Sequence, residues 1–520
     1  MRFLPAGDTA VVVEAADLDE ARRLFTALVA ADLPGVREVV PAARTVLVLF
    51  DPRRTTVRDL VARLRRVEPA AEVRGSGQAV TVEVRYDGQD LDEVAAALGC
   101  SVEEVVRRHQ AATWTVAFTG YAPGFGYLVT DDEVFDVPRR PSPRTRIPAG
   151  SVGLAGEFSG VYPRESPGGW QLIGRTDARV WDLDRDPPAL LAPGTTVRFQ
   201  RVEREVVPVR DAPPAPRGSA RAVEVVSPGV QLLLQDPGRP GHLAEGVPAS
   251  GVADRAALRT ANRAVGNAEG TAALELAGGG AVLRFRGAGV LALAGADPDA
   301  RIRAADGTRL PVPLERPVAV EDGDELRLGT PRAGLRTVLA VRGGFDAPAA
   351  LGSLATDTLS GVGPHPLTAG DRLALHGPAA APHAVHPGPH PRAEPPRSGR
   401  TVQLEVVLGP RTDWFTPAAL ETLTSQEWEV TARSDRVGTR LAGAVPLERA
   451  RGGELPSEGA VTGAIQVPPD GQPVLFGPDH PLTGGYPVIG AVVDAHLDLV
   501  GQLPPGARVR FRPRAPFADL

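Results

Sequence analysis

Two kinds of run in this chain hold residues suited to chemistry. One interleaves aromatics with glycine and proline, Phe118-Thr119-Gly120-Tyr121-Ala122-Pro123-Gly124-Phe125-Gly126-Tyr127-Leu128. The other sets arginine beside bare backbone, Pro143-Arg144-Thr145-Arg146-Ile147-Pro148-Ala149-Gly150-Ser151-Val152-Gly153, followed by Ser166-Pro167-Gly168-Gly169-Trp170 and Gly174-Arg175-Thr176. Arg144, Arg146 and Arg175 offer planar forks for a carboxylate or phosphate, while Ser151, Gly168 and Gly169 let backbone N–H groups come close to an anion. Read functionally, this is an anion pocket walled by Tyr121, Pro123, Gly124, Phe125 and Trp170. Read structurally, it is a set of surface ion pairs beside an aromatic plug at a barrel end.

Later runs repeat the pairing of acid and base: Gln235-Asp236-Pro237-Gly238-Arg239-Pro240-Gly241, then Ser250-Gly251-Val252-Ala253-Asp254, then Ser434-Asp435-Arg436-Val437-Gly438, Gly463-Ala464-Ile465-Gln466-Val467-Pro468 and Asp479-His480. An adjacent Asp and Arg either satisfy each other or serve catalysis. Asp236, Arg239, Asp435 and Arg436 join Arg144 and Arg146 as catalytic candidates, with Gln235, Ser434 and Gln466 as binding candidates. No serine elbow with ordered Asp and His, and no H-E-x-x-H, occurs.

Composition narrows the chemistry further. The chain has 520 residues and a formal net charge of −6, and all 57 basic residues are arginine. Without lysine it can host no Walker A loop, no Schiff base and no covalently attached biotin. The negative balance disfavours nucleic acid as a partner. Leu91 to His109 reads as helix, glycine turn, helix, yet its second helix opens with Glu103 and Glu104, which repel phosphate, and Ser101 with Glu104 forms a capping box. His109 ends that helix, either as a site residue or as a C-terminal cap. A single cysteine, Cys100, and the lack of an 18-residue apolar run lead us to expect a cytoplasmic protein outside the membrane.

The elements that must position these residues divide the chain. At about 150 residues per domain, three or four domains are expected. The first 76 residues alternate strands and amphipathic helices, with Asp17 and Thr56 as N-caps, in an order β-α-β-β-α-β that predicts a small ferredoxin-like sandwich. From Ala79 the texture is mainly β. Pro-rich stretches at 211–220 and 378–400, the latter holding His383, His386 and His390, read as linkers. Three β-segments, 77–210, 221–377 and 401–520, share a pattern: Gly168-Gly169-Trp170, Gly343-Gly344-Phe345 and Gly484-Gly485-Tyr486. Each is followed, 26, 27 and 22 residues on, by a Gly turn and a final strand. Three related barrels, which would leave no sheet edge open, are the expectation. Gly484, Gly485 and Tyr486 are binding candidates by the same repeat.

In the order His109, Phe118 to Leu128, Ile147 to Ser151 and Ser166 to Trp170, the sequence resembles the B component of bacterial 5-oxoprolinase, a family also described as sporulation-kinase inhibitors or allophanate-hydrolase subunit 1. From about Val223, the runs Gln235 to Gly241, Ser434 to Arg436 and Gly463 to Pro468 resemble the C component of the same enzyme. The resemblance spans nearly the whole chain and implies a natural B–C fusion with one cyclophilin-like barrel in the B part and two in the C part. It further implies ATP-driven opening of 5-oxoproline to glutamate with a separate A subunit, with Mg2+ neutralising phosphate charge and arginine doing the cationic work. The metal ligands stay unknown, and a homo-oligomer is possible. The family resemblance also implies two other roles, inhibition of a histidine kinase and the carboxyltransferase step of a urea-carboxylase-like enzyme with biotin on another polypeptide. Tyr121, Val437, His480 and Val488 depart from the family pattern, which leaves room for a different substrate.

Overall fold

The computed structural model of the chain describes residues 1–73, 77–131, 135–140, 142, 144–206, 221–386, 394–453 and 455–520. The expected linker at 211–220 therefore lies outside the described residues, as does His390.

The first six elements are β1 (Arg2–Pro5), β2 (Ala10–Glu14), α1 (Leu18–Ala31), β3 (Val36–Pro41), β4 (Thr45–Phe50) and α2 (Val57–Leu64). The caps form as the sequence predicts: Asp17 accepts from the Glu20 N–H at 2.8 Å, and Thr56 accepts from Asp59 at 3.1 Å. Leu24, Leu28, Leu60 and Leu64 press onto Phe3, Val11, Val46 and Val48 of one sheet face. The strand order requires a correction. The chain runs β-β-α-β-β-α, in an antiparallel sheet β1-β2-β4-β3. The four residues of β1 pair with β2 through a turn at Gly7, which adopts φ +83. Too short to show an alternating pattern, β1 takes the edge where a final strand was expected. The strand Ala79–Val84, read as opening a new segment, joins another sheet.

In each β-segment the last strand returns to the first. Thr196–Arg201 lies parallel to Ala79–Val84, Arg372–Leu375 antiparallel to Ala222–Pro228, and Arg508–Pro513 parallel to Thr401–Leu408. The closures differ. Residues 401–513 form a closed seven-stranded barrel, residues 79–201 an open seven-stranded sheet with a two-stranded flank, and residues 222–375 a seven-stranded and a five-stranded sheet around one core. The architecture is thus mixed α/β with barrel-like sheets. The helix Arg255–Val265 lays Ala257, Leu258 and Ala261 against Ala292, Ala294 and Ala340. Among the described residues no helix is long and apolar enough to cross a membrane.

The segments pack on one another. Leu4, Val12 and Leu47 of the N-terminal sheet share a cluster with Leu243 and Leu482. Arg411, almost wholly buried, binds Glu14 at 2.8 Å and also Glu458, tying that sheet to the barrel. Thr119 donates to the Ala244 carbonyl at 2.5 Å, and the Leu243 N–H donates to Glu38 at 3.1 Å.

Candidate functional site

A buried polar cluster lies where the segments meet. Its anchor is Arg436, whose side chain is 0% exposed. Its Nε and Nη2 donate to the two carboxylate oxygens of Asp479, each at 2.9 Å, Nη2 also donates to the Gly251 carbonyl at 2.6 Å, and Nη1 donates to Glu275 at 2.5 Å. Asp479 in turn accepts from Ser250 Oγ at 2.6 Å and from the Thr358 backbone N–H and hydroxyl at 2.9 and 2.7 Å. Burial alone would raise the Asp479 carboxyl, but the charge and hydrogen bonds of Arg436 outweigh it and hold the group below its ordinary range.

Two loops converge on this anchor. Gln235 ends the strand Gln231–Gln235, and Asp236 turns the chain by accepting from the Gly238 N–H at 2.8 Å, an Asx turn. The same carboxylate accepts from Ser353 Oγ at 2.6 Å and the Leu354 N–H at 2.7 Å, locking the second loop. In that loop Asp357 accepts from Leu359 and Ser360 through one oxygen only. Gly363 has φ +92, and a Cβ there would fall 2.1 Å from the Ala355 carbonyl oxygen, so the loop closes only over glycine.

What the cluster leaves unpaired is chemically specific. Arg239 is 1% exposed, yet only Nη2 has a partner, the Ala355 carbonyl; Nε and Nη1 have none. Asp357 Oδ2 and Gln235 Oε1 are likewise buried and unpartnered, although Gln235 Nε2 donates to the Thr356 carbonyl at 2.7 Å. Buried donors and acceptors without protein partners are rare, and several together leave room for a water, an ion or a ligand to complete them. Burial, and next the charge of Asp479, push the Asp357 carboxyl up to about 6, within reach of proton transfer near neutral pH. The second β-segment and the barrel are not alone here. Arg164, from the first, brings an unpartnered Nη1 beside Gly361 and feels the charge of Asp357. Tyr121, at φ 62, donates from its hydroxyl to the Pro167 carbonyl and holds the loop that follows Arg164. Gly120 lets the chain pass Thr483, whose Oγ1 would lie 2.3 Å from a Cβ at that position.

Among the catalytic candidates, Arg239 and Arg436 meet in this cluster, with Asp236 and Gln235 as its braces. The others do not. The expected pocket of Arg144, Arg146 and Arg175 is not formed. Arg144 binds the buried Asp90 at 2.6 Å, Arg146 is 74% exposed and pairs with Glu165 at 2.6 Å, and Arg175 pairs with Asp87 at 2.7 Å. Asp87, Asp90 and Glu165 pair with them, although Arg144 Nη1 stays buried without a partner, and spacing along the chain does not reveal these pairings. Asp435 is exposed and accepts from the Val437 and Gly438 N–H groups, while Ser434 braces the same turn through Thr431 and Arg440.

His109 is a core histidine. Nδ1 meets the Tyr86 hydroxyl at 2.8 Å, Nε2 meets Ser159 Oγ at 3.0 Å, and the ring stacks on Phe199 at 4.3 Å. Burial lowers it to about 3, so it stays neutral. Phe125 and Trp170 pack edge to face at 5.2 Å in a buried aromatic cluster with Tyr127 and Tyr162. Gly124 packs on Val180 and Trp181, Pro123 and Ser151 are buried, and Gly168 abuts the Tyr162 hydroxyl. The Gly169 carbonyl accepts from the Arg140 N–H at 2.8 Å. Gln466 reaches the Tyr486 carbonyl at 3.5 Å beside Gly484; Gly485 lies near Leu455, and Tyr486 is 43% exposed under Arg449. Asp357, Arg164 and Glu275 were not singled out from the sequence. Glu275 does carry a signal, a charge inside Ala272-Ala273-Leu274-Glu275-Leu276-Ala277, and Asp357 sits in the Ser/Thr/Gly-rich run from Ser353 to Gly363.

A two-part carboxyltransferase architecture accounts for a site assembled this way. Residues 1–191 match the carboxyltransferase domain, subdomain C and D, and residues 245–513 match the carboxyltransferase domain, subdomain A and B, so the chain belongs to this family. Its relatives include the B component of 5-oxoprolinase from Escherichia coli O157:H7, 39% identical over 37% of this chain and 92% of that protein. They also include the C component of 5-oxoprolinase from Escherichia coli K12, 32% identical over 56% of this chain and 90% of that protein. The chain is thus a fusion of B-like and C-like parts. The crystal structure of TTHA0988 is 35% identical, covers 97% of this chain and 99% of its own, and superposes with a TM-score of 0.82.

Proposed function

We propose that this protein is the fused B–C component of an ATP-dependent 5-oxoprolinase, opening 5-oxo-L-proline to L-glutamate with a separate A subunit. The observation that carries the reading is the unpartnered set at the junction. Arg239 and Arg164 present free N–H groups to a carboxylate or phosphate, and Gln235 Oε1 and Asp357 Oδ2 present acceptors to an amide N–H. A small cyclic amide bearing a carboxylate complements both. The names of the B-type and C-type relatives supply the activity, and the need for both parts in one site agrees with their fusion here.

In this reading the γ-phosphoryl group of ATP moves to the lactam oxygen, leaving ADP. Water adds at the carbonyl carbon, the C–N bond opens to give glutamyl phosphate, and a second water releases phosphate. Arg239 and Arg164 stabilise the phosphoryl oxygens. Asp357, with one carboxylate oxygen free, fits a role as proton acceptor for water or as a single contact to Mg2+ carried by the nucleotide, which Mg2+ usually meets through one or two carboxylates. The same reading takes residues 1–76 as a ferredoxin-like unit and 77–210, 221–377 and 401–520 as cyclophilin-like units, in a cytoplasmic protein. A second reading, a carboxyltransferase acting with biotin on another polypeptide, is favoured by the family's name.

With the A subunit present, phosphate release should require 5-oxoproline. Arg239→Gln should reduce turnover by about 100-fold or more, the cost typical of removing one donor to a transition-state charge, while Arg146→Ala retains it. Phosphate release without 5-oxoproline, or full turnover in Arg239→Gln, rejects the proposal. Activity only with a biotinylated carrier selects the second reading.

A further inference from the structure

The outer face of the seven-stranded sheet in residues 222–375 gathers arginines, none of them part of the junction's charge network. The edge strand Arg309–Pro311 pairs with Ala300–Arg303, which pairs with Glu325–Leu328. Register sets Arg303 opposite Arg309, and Arg301 opposite Arg327. Alternation keeps Ile302, Leu326 and Leu328 inside and sends these arginines outward. Like charges directly opposite on antiparallel strands are destabilising, so the fold carries two such pairs at a cost.

Carboxylates answer only part of this charge. Asp299 binds Arg301 at 3.3 Å. Glu325, which faces Arg303 in register, is already held by Arg284 at 2.8 Å and Arg327 at 2.6 Å. Among the described residues Arg303 and Arg309 have no carboxylate partner. Arginine on an edge strand deters pairing with another sheet, which accounts for Arg309 but not for Arg301, Arg303 and Arg327 on interior strands. All four line one cavity of about 430 Å3, together with Val282, the glycines Gly280 and Gly329, and a single carboxylate, Asp299.

We propose that this cavity binds an oligophosphate, either free or as the phosphate chain of a nucleotide. Guanidinium forks match phosphate oxygens in pairs. Neighbouring positions stand about 4.8 Å apart across strands and about 7 Å apart along one strand, a span that linked phosphates cover and a single carboxylate does not. The site is separate from the reading of the junction and does not depend on it.

Titration calorimetry of the intact chain with tripolyphosphate, and separately with ADP, tests this. Both should bind, and Arg303→Gln/Arg309→Gln should weaken binding at least about tenfold, the equivalent of one lost charge-assisted contact, with a melting temperature no lower than that of the wild type, since the substitution relieves an opposed pair of like charges. Equal affinities assign the site to phosphate alone; tighter ADP binding assigns Val282 and the lining glycines to the nucleoside. Arg239→Gln separates the two sites, because binding at the junction would fall in that variant while the component lost in the double variant persists. No binding by either compound, an unaltered affinity in the double variant, or loss of all binding in Arg239→Gln overturns the proposal.

Discussion

Arg436 and Arg239 are equally buried but differ in what surrounds them. Arg436 has partners on all three of its guanidinium nitrogens, two of them carboxylates, and burial is offset by those charges. Replacing it with Met strands Asp479 and Glu275 inside, and should cost about 3–5 kcal/mol in a urea titration. A loss of activity in that variant would therefore report on folding rather than on a direct catalytic role for Arg436. Asp357 gives a second test. Its carboxyl is raised by burial first and by Asp479 second, from 3.8 to about 6. The native state then holds that proton more tightly than the unfolded chain, so its contribution to stability is complete below about pH 4 and is lost as pH rises to about 6. The loss amounts to about 1.4 kcal/mol for each pKa unit by which the native carboxyl exceeds the unfolded one. Asp357→Asn should remove this slope, read as the difference between wild-type and variant urea midpoints from pH 4 to 7. Equal slopes would place the raised carboxyl elsewhere.

At the scale of elements, local signals were legible and long-range ones were not. The N-caps Asp17, Thr56 and Ser101 act within a few residues of themselves, and each forms where the sequence puts it. The return of each final strand to its segment's first strand was also visible, because the Gly-Gly-aromatic and Gly-turn pattern recurs. The arginines of 144–175 were misread because their carboxylates arrive from residues 87–90 and 165 through strand pairing, which no local pattern records. His109 was ambiguous for the same reason. Its partners Tyr86 and Ser159 lie 23 residues before and 50 after it. The loop from Thr356 to Gly363 shows how much an element can depend on one backbone angle. Gly363→Ala should destabilise the protein by about 1–3 kcal/mol and displace Arg239, whose Nη2 lies 2.9 Å from the position of the added Cβ. A fully active, equally stable variant would show that the loop has slack.

Across the whole molecule, the N-terminal sheet, the first β-segment and the barrel close around the junction through Arg411, Leu243 and Thr119. Cutting the chain within residues 211–220 should leave two fragments that elute together at micromolar concentration, since these contacts cross between them. Separate elution would mean that the packing is too weak to assemble the site. The B-type and C-type relatives are separate polypeptides, and their encounter obeys mass action. Here a peptide tether converts it into an intramolecular step, with an effective concentration typically in the millimolar range. Diluting the intact protein therefore leaves each molecule's junction formed, whereas the cut form loses its junction as the sample is thinned.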